Sequence, residues 1–455
     1  MARICLIVDN PLRDLEGNVL LGRALANRGH QAFLIPMYSQ AFAVSDVQPQ
    51  MVIANYVRPN NVNLLKSYRR KGIKVAVMDT EGAGGRSPVE FASLVAHGGA
   101  IGNVDLYCAW GPAQFEALQP ILGDAVKLTG CPRYDLCAPD RRPALRRPAV
   151  ESGFVLINTN FPGVNPRFSS GTANERRVAL KVGFDTKFAD DYLSAAKRTL
   201  DGMLALMAEL AKRLPQTSFV LRPHPFENAS YYSRLTKLPN FSVHQEGTSL
   251  EWLAQSSMLI HLNCSTAVEA RMLDKPAVTP AWLDDPVLRI PGPSAVSQHV
   301  QSMEELVGLV ELVTTGTCLP APAEVTKASR DVIHSFYLAI DGEAAERVSD
   351  EVDACLAAPL VSDLGRPKLK VITTSLVQRL LGQGGWFVLV DMISRGQLRR
   401  KRQSKNFSMG EVREILDRVN KAFPGTPAVC SEAGGWIMIS AARQDEKVVQ
   451  AQAAI

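Results

Sequence analysis

Two short segments carry residue types that could bind a phosphate group. Residues 221–228 (LRPHPFEN) follow a predicted strand and hold Arg222 and His224 next to prolines that would stiffen the loop. In open α/β sheets, ligands bind beyond the carboxyl ends of the strands, which is where these side chains would lie. The segment therefore predicts a phosphate site, with a rigid surface turn as the alternative.

A second predicted strand-to-helix junction, residues 263–270 (NCSTAVEA), has a similar character. Backbone N–H groups at a helix N-terminus attract anions, and the small side chains of Ser265 and Thr266 would leave them accessible beside Asn263. Glu269, one turn later, could reach the hydroxyls of a ribose. An ordinary Ser/Thr helix cap and a first-turn acid are the alternatives.

A pair of carboxylates, Asp79 and Glu81, follows another predicted strand and precedes the glycine-rich residues 82–85. Carboxylates on a flexible loop are suited to general acid/base catalysis. A polar turn would have the same composition and is the alternative.

Three further groups of polar residues could contact a sugar or an acceptor. They are Arg13 and Glu16 in the predicted loop after the first strand, Arg133 with Asp135 before a Pro/Arg-rich stretch, and Asn158 with Asn160 after a later strand. Amide side chains suit a base or a sugar. The loop that holds Arg13 lacks GxGxxG, so the dinucleotide-binding fingerprint is absent.

Sequence signatures of several enzyme classes are absent from the chain. HExxH, GxxxxGK[ST], GxSxG and DxD do not occur, and the eight cysteines form no CxxC pair. Zinc-ribbon, P-loop and α/β-hydrolase chemistry therefore lack their motifs. The scattered cysteines favour a reducing cytoplasm, and we expect neither a metal nor a cofactor.

The composition is that of an ordinary globular protein, but its charge is unevenly distributed. The 455 residues are 46% hydrophobic and carry a net charge of +5. Residues from 366 onward contribute 15 Lys/Arg and 7 Asp/Glu, so residues 1–365 are slightly acidic. A nucleic-acid-binding body is therefore not expected. No apolar stretch is long enough for a membrane span, and the N-terminus turns polar too soon for a signal peptide.

The elements that would position these residues follow an alternating pattern. Short, nearly continuous apolar runs alternate with amphipathic segments, which predicts parallel strands covered by helices on both faces. Residues 138–152 are rich in Pro and Arg and predict a linker. We therefore predict an α/β protein with lobes at 1–140 and 151–365 around a central cleft, and a small basic α+β module at 366–455.

The basic C-terminal segment also raises a membrane hypothesis. Trp386, Phe387 and Leu389 lie near the basic cluster Arg399–Lys405, a combination that could dock on anionic lipid. An ordinary packed module with a solvated basic loop is the alternative. The first interpretation predicts a cytoplasmic protein with peripheral contact at the inner membrane.

Taken in order over residues 1–290, these motifs resemble the bacterial surface carbohydrate biosynthesis family, which is similar to the Kdo-type (CMP-ulosonate) glycosyltransferases. The resemblance implies a GT-B fold of two Rossmann-like lobes, with the donor nucleotide in the C-terminal lobe and the acceptor in the N-terminal lobe. It implies that His224, Ser265 and Thr266 hold the CMP phosphate. It also implies a catalytic carboxylate at Asp79 or Glu81, where Thr80 replaces a frequent acid.

The implied activity is transfer of an ulosonic acid such as Kdo from a CMP donor to a lipid-linked or growing surface glycan. Retention of the anomeric configuration would require a carboxylate nucleophile and an acid/base partner, for which Asp135 and Glu81 are the candidates. Inversion would require one carboxylate as base. Two alternatives stay open. One is a CDP-glycerol-type phosphotransferase, and the other is a non-catalytic GT-B scaffold.

Overall fold

The structure is a computed structural model that describes residues 1–82, 87–146, 151–169, 171–181, 185–317, 321–359, 369–394 and 396–442. The predicted glycine-rich loop at 83–85 and the predicted boundary at 365/366 lie outside the described residues. The strands, in chain order, are β1 (Arg3–Val8), β2 (Gln31–Pro36), β3 (Met51–Ala54), β4 (Lys74–Val77), β5 (Leu106–Ala109), β6 (Val126–Leu128), β7 (Val155–Asn158), β8 (Phe219–Arg222), β9 (Phe241–Val243), β10 (Met258–His261), β11 (Ala277–Pro280), β12 (Gln298–Val300), β13 (Ala428–Ala433) and β14 (Trp436–Ala441).

The helices connect these strands and follow the second sheet. In chain order they are α1 (Pro11–Asn27), α2 (Gln40–Val47), α3 (Val62–Arg70), α4 (Pro88–His97), α5 (Pro112–Leu122), α6 (Thr172–Lys181), α7 (Thr186–Arg213), α8 (Ser249–Gln255), α9 (Thr266–Met272), α10 (Pro291–Ala295), α11 (Met303–Thr314), α12 (Ala323–Tyr337), α13 (Ala344–Ala357), α14 (Leu369–Ile393), α15 (Gln397–Gln403) and α16 (Met409–Ala422). None of them, over the described residues, is long and apolar enough to cross a membrane.

The predicted α/β class with two parallel-sheet lobes is confirmed. The chain forms two compact units. Unit 1 comprises residues 1–144 with the described residues from 334 onward, and unit 2 comprises Leu145–Ile333. The boundary between the units falls inside the predicted linker 138–152, of which residues 147–150 lie outside the described ones.

Unit 1 contains a sheet in the order β13-β14-β2-β1-β3-β4-β5-β6. Strands β1 to β6 are parallel, and β1 is completely buried from Ile4 to Val8 because helices cover both faces. The chain runs from β1 to β2 on one side and then to β3 on the other. The carboxyl ends of β1 and β3 therefore flank a topological switch point, where ligands bind in open α/β sheets.

Unit 2 contains a parallel sheet in the order β12-β11-β10-β7-β8-β9. This is the strand order of the doubly wound dinucleotide-binding fold, and its switch point lies between β7 and β10. Long helix α7 packs on the sheet through buried Leu200, Met203, Met207 and Leu210, which follow the helical spacing seen in the sequence.

The C-terminal segment differs from the separate module that the sequence predicts, because it completes unit 1. Strand β14 pairs antiparallel with β2, with Ile439 opposite Ala32. The buried guanidinium of Arg23 on α1 donates hydrogen bonds to the carbonyls of Phe423 (2.9 Å) and Pro424 (2.8 Å). A local sequence pattern does not predict these contacts, because it can identify a strand but not the strand with which it pairs.

The predicted loop at 13–17 is also different in the structure, where it forms the first turns of α1. Asn10 caps this helix by accepting a hydrogen bond from the N–H of Leu12 at 3.2 Å, and Pro11 occupies the first turn. Proline fits this position because its missing N–H would have no helical partner there. Arg13 and Glu16 therefore have fixed positions on a helix.

Candidate functional site

A pocket of about 400 Å³, its open mouth included, lies at the switch point of unit 1. It is formed by the carboxyl ends of β1 and β3, the first turns of α1 and the residues that follow β4 and β5. Its polar and aromatic lining includes Asp14, Asn18, Asp79, Trp110 and Arg133. The pocket thus brings one of the predicted acids and one of the predicted sugar-binding arginines to the same place.

Asp79 lies buried at the pocket wall. Its carboxylate accepts a hydrogen bond from the hydroxyl of Tyr107 at 3.2 Å and forms an ion pair with Arg58 at 3.0 Å. Burial raises the pKa of Asp79, and the charge of Arg58 opposes this shift. These contacts fix the carboxylate in place, so the structure gives Asp79 a positioning role at the pocket.

Glu81, two residues later, has a different environment. Its side chain is 73% exposed, and one carboxylate oxygen lies 3.5 Å from Nη1 of Arg13. Arg13 in turn contacts Asp9 and Asp14, each at 2.8 Å. Burial lowers the pKa of Arg13, but the attraction of these three acids outweighs burial, so the pKa is raised overall. Of the two predicted acids, Glu81 is the one that an acceptor hydroxyl could approach.

Three buried donors near the ends of β3 and β5 have no hydrogen-bond partner within the described residues. They are Nδ2 of Asn55, Nε1 of Trp110 and Nε2 of Gln114. The amide oxygen of Gln114 accepts from the backbone N–H of Trp110 at 2.6 Å, which orients the amide group. Because buried polar groups in proteins are nearly always satisfied, these donors favour a ligand or solvent rich in acceptor oxygens.

Asp135 does not line the pocket. Its buried carboxylate accepts hydrogen bonds from the backbone N–H groups of Ala344 (2.9 Å) and Ala345 (2.8 Å) at the start of α13. This is the position in which an acid stabilises a helix N-terminus. Both oxygens bind backbone, so Asp135 connects the loop after β6 to α13, and its predicted role in catalysis stays a prediction.

Two other predicted contact residues of unit 1 are tied to neighbouring elements. Glu16 is buried and forms an ion pair with Arg418 of α16 at 3.2 Å. Arg133 lines the pocket, with its guanidinium carbon 4.6 Å from the ring centroid of Tyr134. The backbone of Arg133 passes very close to α1: a Cβ added to Gly17 would lie only 2.9 Å from it.

In unit 2 the structure brings four predicted residues together at the switch point between β7 and β10. Nδ2 of Asn158 donates to Oγ1 of Thr266 at 2.9 Å, and Nδ2 of Asn160 donates to the carbonyl of Asn263 at 3.4 Å. Asn263 has a positive φ of 53°, a conformation that asparagine tolerates better than most residues. The buried Oδ1 of Asn158 has no partner within the described residues.

The remaining residues of this junction differ in accessibility. Ser265 is exposed where α9 begins. Glu269 is buried, and its carboxylate accepts a hydrogen bond from the hydroxyl of Ser249 at 2.6 Å. Ser265 is therefore available to a ligand, whereas Glu269 joins α8 to α9.

The two candidate phosphate-binding residues of the Arg-Pro-His-Pro segment, Arg222 and His224, also differ in accessibility. The buried guanidinium of Arg222 donates to the carbonyls of Thr248 (2.7 Å) and Gly247 (2.8 Å), so it holds the loop that precedes α8. His224 is half-buried, and its Nδ1 accepts the backbone N–H of Phe226 at 3.2 Å. In the neutral tautomer that this bond implies, the ring proton is on Nε2.

Two important residues escape the sequence analysis. Glu227 is fully buried and accepts hydrogen bonds from the N–H groups of Phe161 (3.0 Å) and His224 (3.1 Å) and from the hydroxyl of Tyr232. Burial raises its pKa, which these donors oppose. Glu227 thus joins the His224 loop to the end of β7. The feature that could have identified Glu227 in the sequence is an acid directly after the Pro-rich turn.

His261, the second such residue, ends β10. Its Nε2 lies 2.7 Å from Oγ of Ser297, and its Nδ1 accepts from the N–H of Cys264 at 3.4 Å. Burial lowers the pKa of His261 to about 3, so the ring is neutral and supports the loop that leads to Ser265. A histidine at the end of an apolar strand is the signal that could have identified it.

No group of three or more His, Cys, Asp or Glu side chains within the described ranges could hold a metal ion. No protein-family model matches the chain. No match was found among the curated proteins.

Several solved structures share a distant likeness with the chain. UDP-bound MnaA from S. aureus has 11% identity and a TM-score of 0.48, over 81% of this chain and 100% of its own. A UDP-GlcNAc 2-epimerase from Methanocaldococcus jannaschii, in complex with UDP-GlcNAc and UDP, has 11% identity and a TM-score of 0.47, over 77% and 99%. The wall teichoic acid polymerase TagF has 13% identity and a TM-score of 0.42, over 71% and 76%. At these identities and TM-scores, the assignment of activity depends on the chain's own residues.

Proposed function

We propose that the chain is a glycosyltransferase that takes a sugar, an ulosonic acid such as Kdo, from a CMP-activated donor and transfers it to a surface glycan. Unit 2 binds the donor nucleotide, and the pocket of unit 1 binds the acceptor. The observation that carries the proposal is the cluster of polar side chains at the switch point of unit 2, where Asn158 contacts Thr266 and Asn160 contacts Asn263.

The unpartnered oxygen of Asn158 supports a cytosine nucleotide. This buried Oδ1 is an acceptor, and a cytosine ring presents its exocyclic amine as a donor. A uracil has an acceptor oxygen at the corresponding position, as thymine does, so it would place two acceptors face to face. The proposal therefore predicts that CMP binds more tightly than UMP.

The accessible donors of unit 2 suit the phosphate. Cleavage of a sugar–phosphate bond builds negative charge on the leaving phosphate, and donors aimed at that charge lower the barrier. Nε2 of His224 and the hydroxyl of Ser265 are the candidates, since both residues are accessible and both lie beyond the strand ends. Arg222 contributes indirectly by holding the loop before α8.

In unit 1, Glu81 is the proposed catalytic base. Among the three predicted acids Asp79, Glu81 and Asp135, it alone is exposed. A single exposed carboxylate suits direct displacement, in which one base removes the proton from the attacking hydroxyl. Asp79 positions the pocket wall, and the unpartnered donor of Trp110 suits the oxygen atoms of a glycan.

The experiment is CMP release from CMP-Kdo in the presence of a lipid-linked glycan acceptor. We expect acceptor-dependent release with the wild type and at least a hundredfold slower release with His224→Ala or Glu81→Gln, the scale of a lost charge-stabilising group or base. Matched controls are His97→Ala and Glu116→Gln, which change exposed side chains of the same types in unit 1.

The products separate the alternatives. CMP together with a new glycoside supports the proposal, whereas CMP together with a phosphodiester from CDP-glycerol would replace it with a glycerophosphotransferase. Nucleotide binding without turnover of either donor would indicate a non-catalytic scaffold. Release that neither His224→Ala nor Glu81→Gln changes would place the chemistry away from both candidate sites.

A further inference from the structure

Helices α14 and α15 expose an unusual number of large apolar side chains to solvent. The exposed fractions are 85% for Leu380, 60% for Val388, 72% for Met392, 76% for Ile393 and 42% for Leu398. Single exposed apolar residues are common on protein surfaces, whereas a larger exposed apolar patch marks an interaction site. Val388, Met392 and Ile393 lie within two turns of α14 after the non-helical Gly382, Leu380 precedes that glycine, and Leu398 lies on α15. We call these five residues the apolar face.

Other side chains of α14 hold the helix against unit 1. Nε2 of Gln383 donates to Oγ of Ser39 at 2.9 Å, and the ring of Phe387 meets Phe42 edge-on, with 6.0 Å between centroids. The guanidinium carbon of Arg402 lies over the ring of Phe387, 4.0 Å from its centroid. Helix α14 is therefore anchored through Gln383 and Phe387, while Val388, Met392 and Ile393 on the same helix stay exposed.

This geometry changes the membrane hypothesis drawn from the sequence. Trp386, Phe387 and Leu389 are half-buried, and Phe387 packs inward, so the aromatic residues are not the most exposed ones. Two members of the basic cluster are also occupied within the unit. Arg402 pairs with Asp391 at 2.7 Å, and Lys405 pairs with Asp9 at 2.9 Å.

Three other members of the cluster, Arg399, Arg400 and Lys401, are exposed directly beside the apolar face. Between residues 366 and 410 the sequence has ten Lys/Arg and a single acid, Asp391. Asp391 is already paired with Arg402, so among the described residues the exposed side chains of Arg399, Arg400 and Lys401 give this surface a positive charge. An anionic partner that also accepts apolar side chains would satisfy both features.

We propose that the apolar face, together with Arg399, Arg400 and Lys401, is a docking surface for an anionic lipid bilayer. A helix lying in the bilayer interface buries apolar side chains near the headgroups while basic residues contact anionic lipid. A second copy of the chain fits less well, since a twofold contact through this face would bring both basic clusters together. The proposal does not depend on the transferase activity.

The test is binding of the full chain to vesicles of phosphatidylcholine, with and without phosphatidylglycerol. We expect binding only to the phosphatidylglycerol vesicles, with an affinity that falls at least tenfold in high salt because salt screens exposed charges. Truncation before α14 would not isolate this surface, since it would also remove β14 from the sheet of unit 1. Point variants on exposed side chains avoid that problem.

Two variants separate the apolar from the charged component. Met392→Ser combined with Ile393→Ser removes the apolar contact without adding charge, and Arg399→Ser combined with Arg400→Ser and Lys401→Ser removes the charge. We expect each to weaken vesicle binding at least tenfold while the thermal unfolding midpoint is kept. The matched controls are Val89→Ser, on another exposed apolar residue of unit 1, and Arg234→Ser with Lys237→Ser on unit 2.

Three outcomes would overturn the proposal. They are equal binding to neutral and anionic vesicles, variants that bind like the wild type, and no binding by the intact chain. Sedimentation velocity identifies the competing occupant. Self-association that Met392→Ser with Ile393→Ser abolishes, without vesicle binding by the wild type, would assign the surface to a second copy.

Discussion

The carboxylate of Asp135 accepts a hydrogen bond from the backbone N–H of Ala344, at 2.9 Å and across 209 positions of the chain. A second bond, from the N–H of Ala345 at 2.8 Å, completes the contact between the end of the β6 loop and α13. This pair joins the N-terminal part of unit 1 to the C-terminal segment that completes it. The Asp135 carboxyl therefore connects two distant parts of the chain within unit 1.

Asp135 should make the stability of unit 1 depend on pH. Burial raises its pKa from 3.8 to about 7, against the opposing effect of the two N–H donors. The folded chain therefore binds this proton more tightly than the unfolded chain, and the contribution of Asp135 to stability decreases as the pH rises from about 4 to about 7. Asp135→Asn, which does not titrate, should lack this decrease.

The measurement is the free energy of unfolding in urea at several pH values. The difference between wild type and Asp135→Asn should change across that window by an amount on the order of 1–4 kcal/mol. Asp140→Asn, at an exposed acid of the same loop region, is the control. Parallel pH profiles for wild type and Asp135→Asn would contradict the prediction.

Arg58 should stabilise the fold mainly by compensating the charge of Asp79. The ion pair is 3.0 Å long, and the Asp79 side chain is almost completely buried. Arg58→Met leaves a buried carboxylate without its charge partner, which we expect to cost about 3–5 kcal/mol at neutral pH. Adding Asp79→Asn removes the charge itself, so the double variant should be more stable than Arg58→Met alone.

Urea denaturation at pH 7 compares these two variants directly, with Arg234→Met on an exposed arginine as the control. A double variant that is less stable than Arg58→Met would show that the hydrogen bond from Tyr107 to the carboxylate, rather than charge compensation, dominates at this site.

Gly17 should be intolerant of a side chain because of the close approach between α1 and the residues before the linker. A Cβ at this position would lie 2.9 Å from both the Cα and the backbone nitrogen of Arg133. Backbone atoms cannot rotate away, so Gly17→Ala should cost about 1–3 kcal/mol and displace Arg133 at the pocket. Gly308→Ala is the matched control, since no atom lies within 4 Å of its added Cβ on α11.

For Gly308→Ala we expect a change between zero and about 1 kcal/mol in favour of the folded state, because alanine is the better helix former. Thermal unfolding midpoints of Gly17→Ala and Gly308→Ala, compared with the wild type, check both expectations. Equal midpoints for Gly17→Ala and Gly308→Ala would mean that α1 shifts freely at this contact.

The sequence predicts the parallel sheets because each apolar run marks its own strand, and it places polar residues at strand ends because those follow the runs. It does not predict which polar residues are accessible. Glu81 and Asp79 are two positions apart, yet one is exposed and the other is buried against Arg58. Nor does the sequence predict that Ile439 of β14 lies opposite Ala32 of β2, since the two strands are about 400 positions apart in the chain.

The final prediction concerns Glu227, which is fully buried beside the His224 loop. Its carboxylate accepts the N–H of His224 at 3.1 Å and that of Phe161 at 3.0 Å, so it sets the position of the His224 loop relative to β7. If His224 binds phosphate as proposed, Glu227→Gln should weaken CMP binding about tenfold, since the amide replaces one acceptor oxygen with a donor. Calorimetric titration with CMP measures this change, with Glu324→Gln on an exposed acid as the control.

A double-mutant cycle separates positioning from general destabilisation. In a His224→Ala background, Glu227→Gln should have little further effect on CMP affinity, because the group that it positions is already absent. Additive losses in the double variant would contradict a positioning role and would indicate that Glu227 supports the nucleotide site through Phe161 and β7 instead.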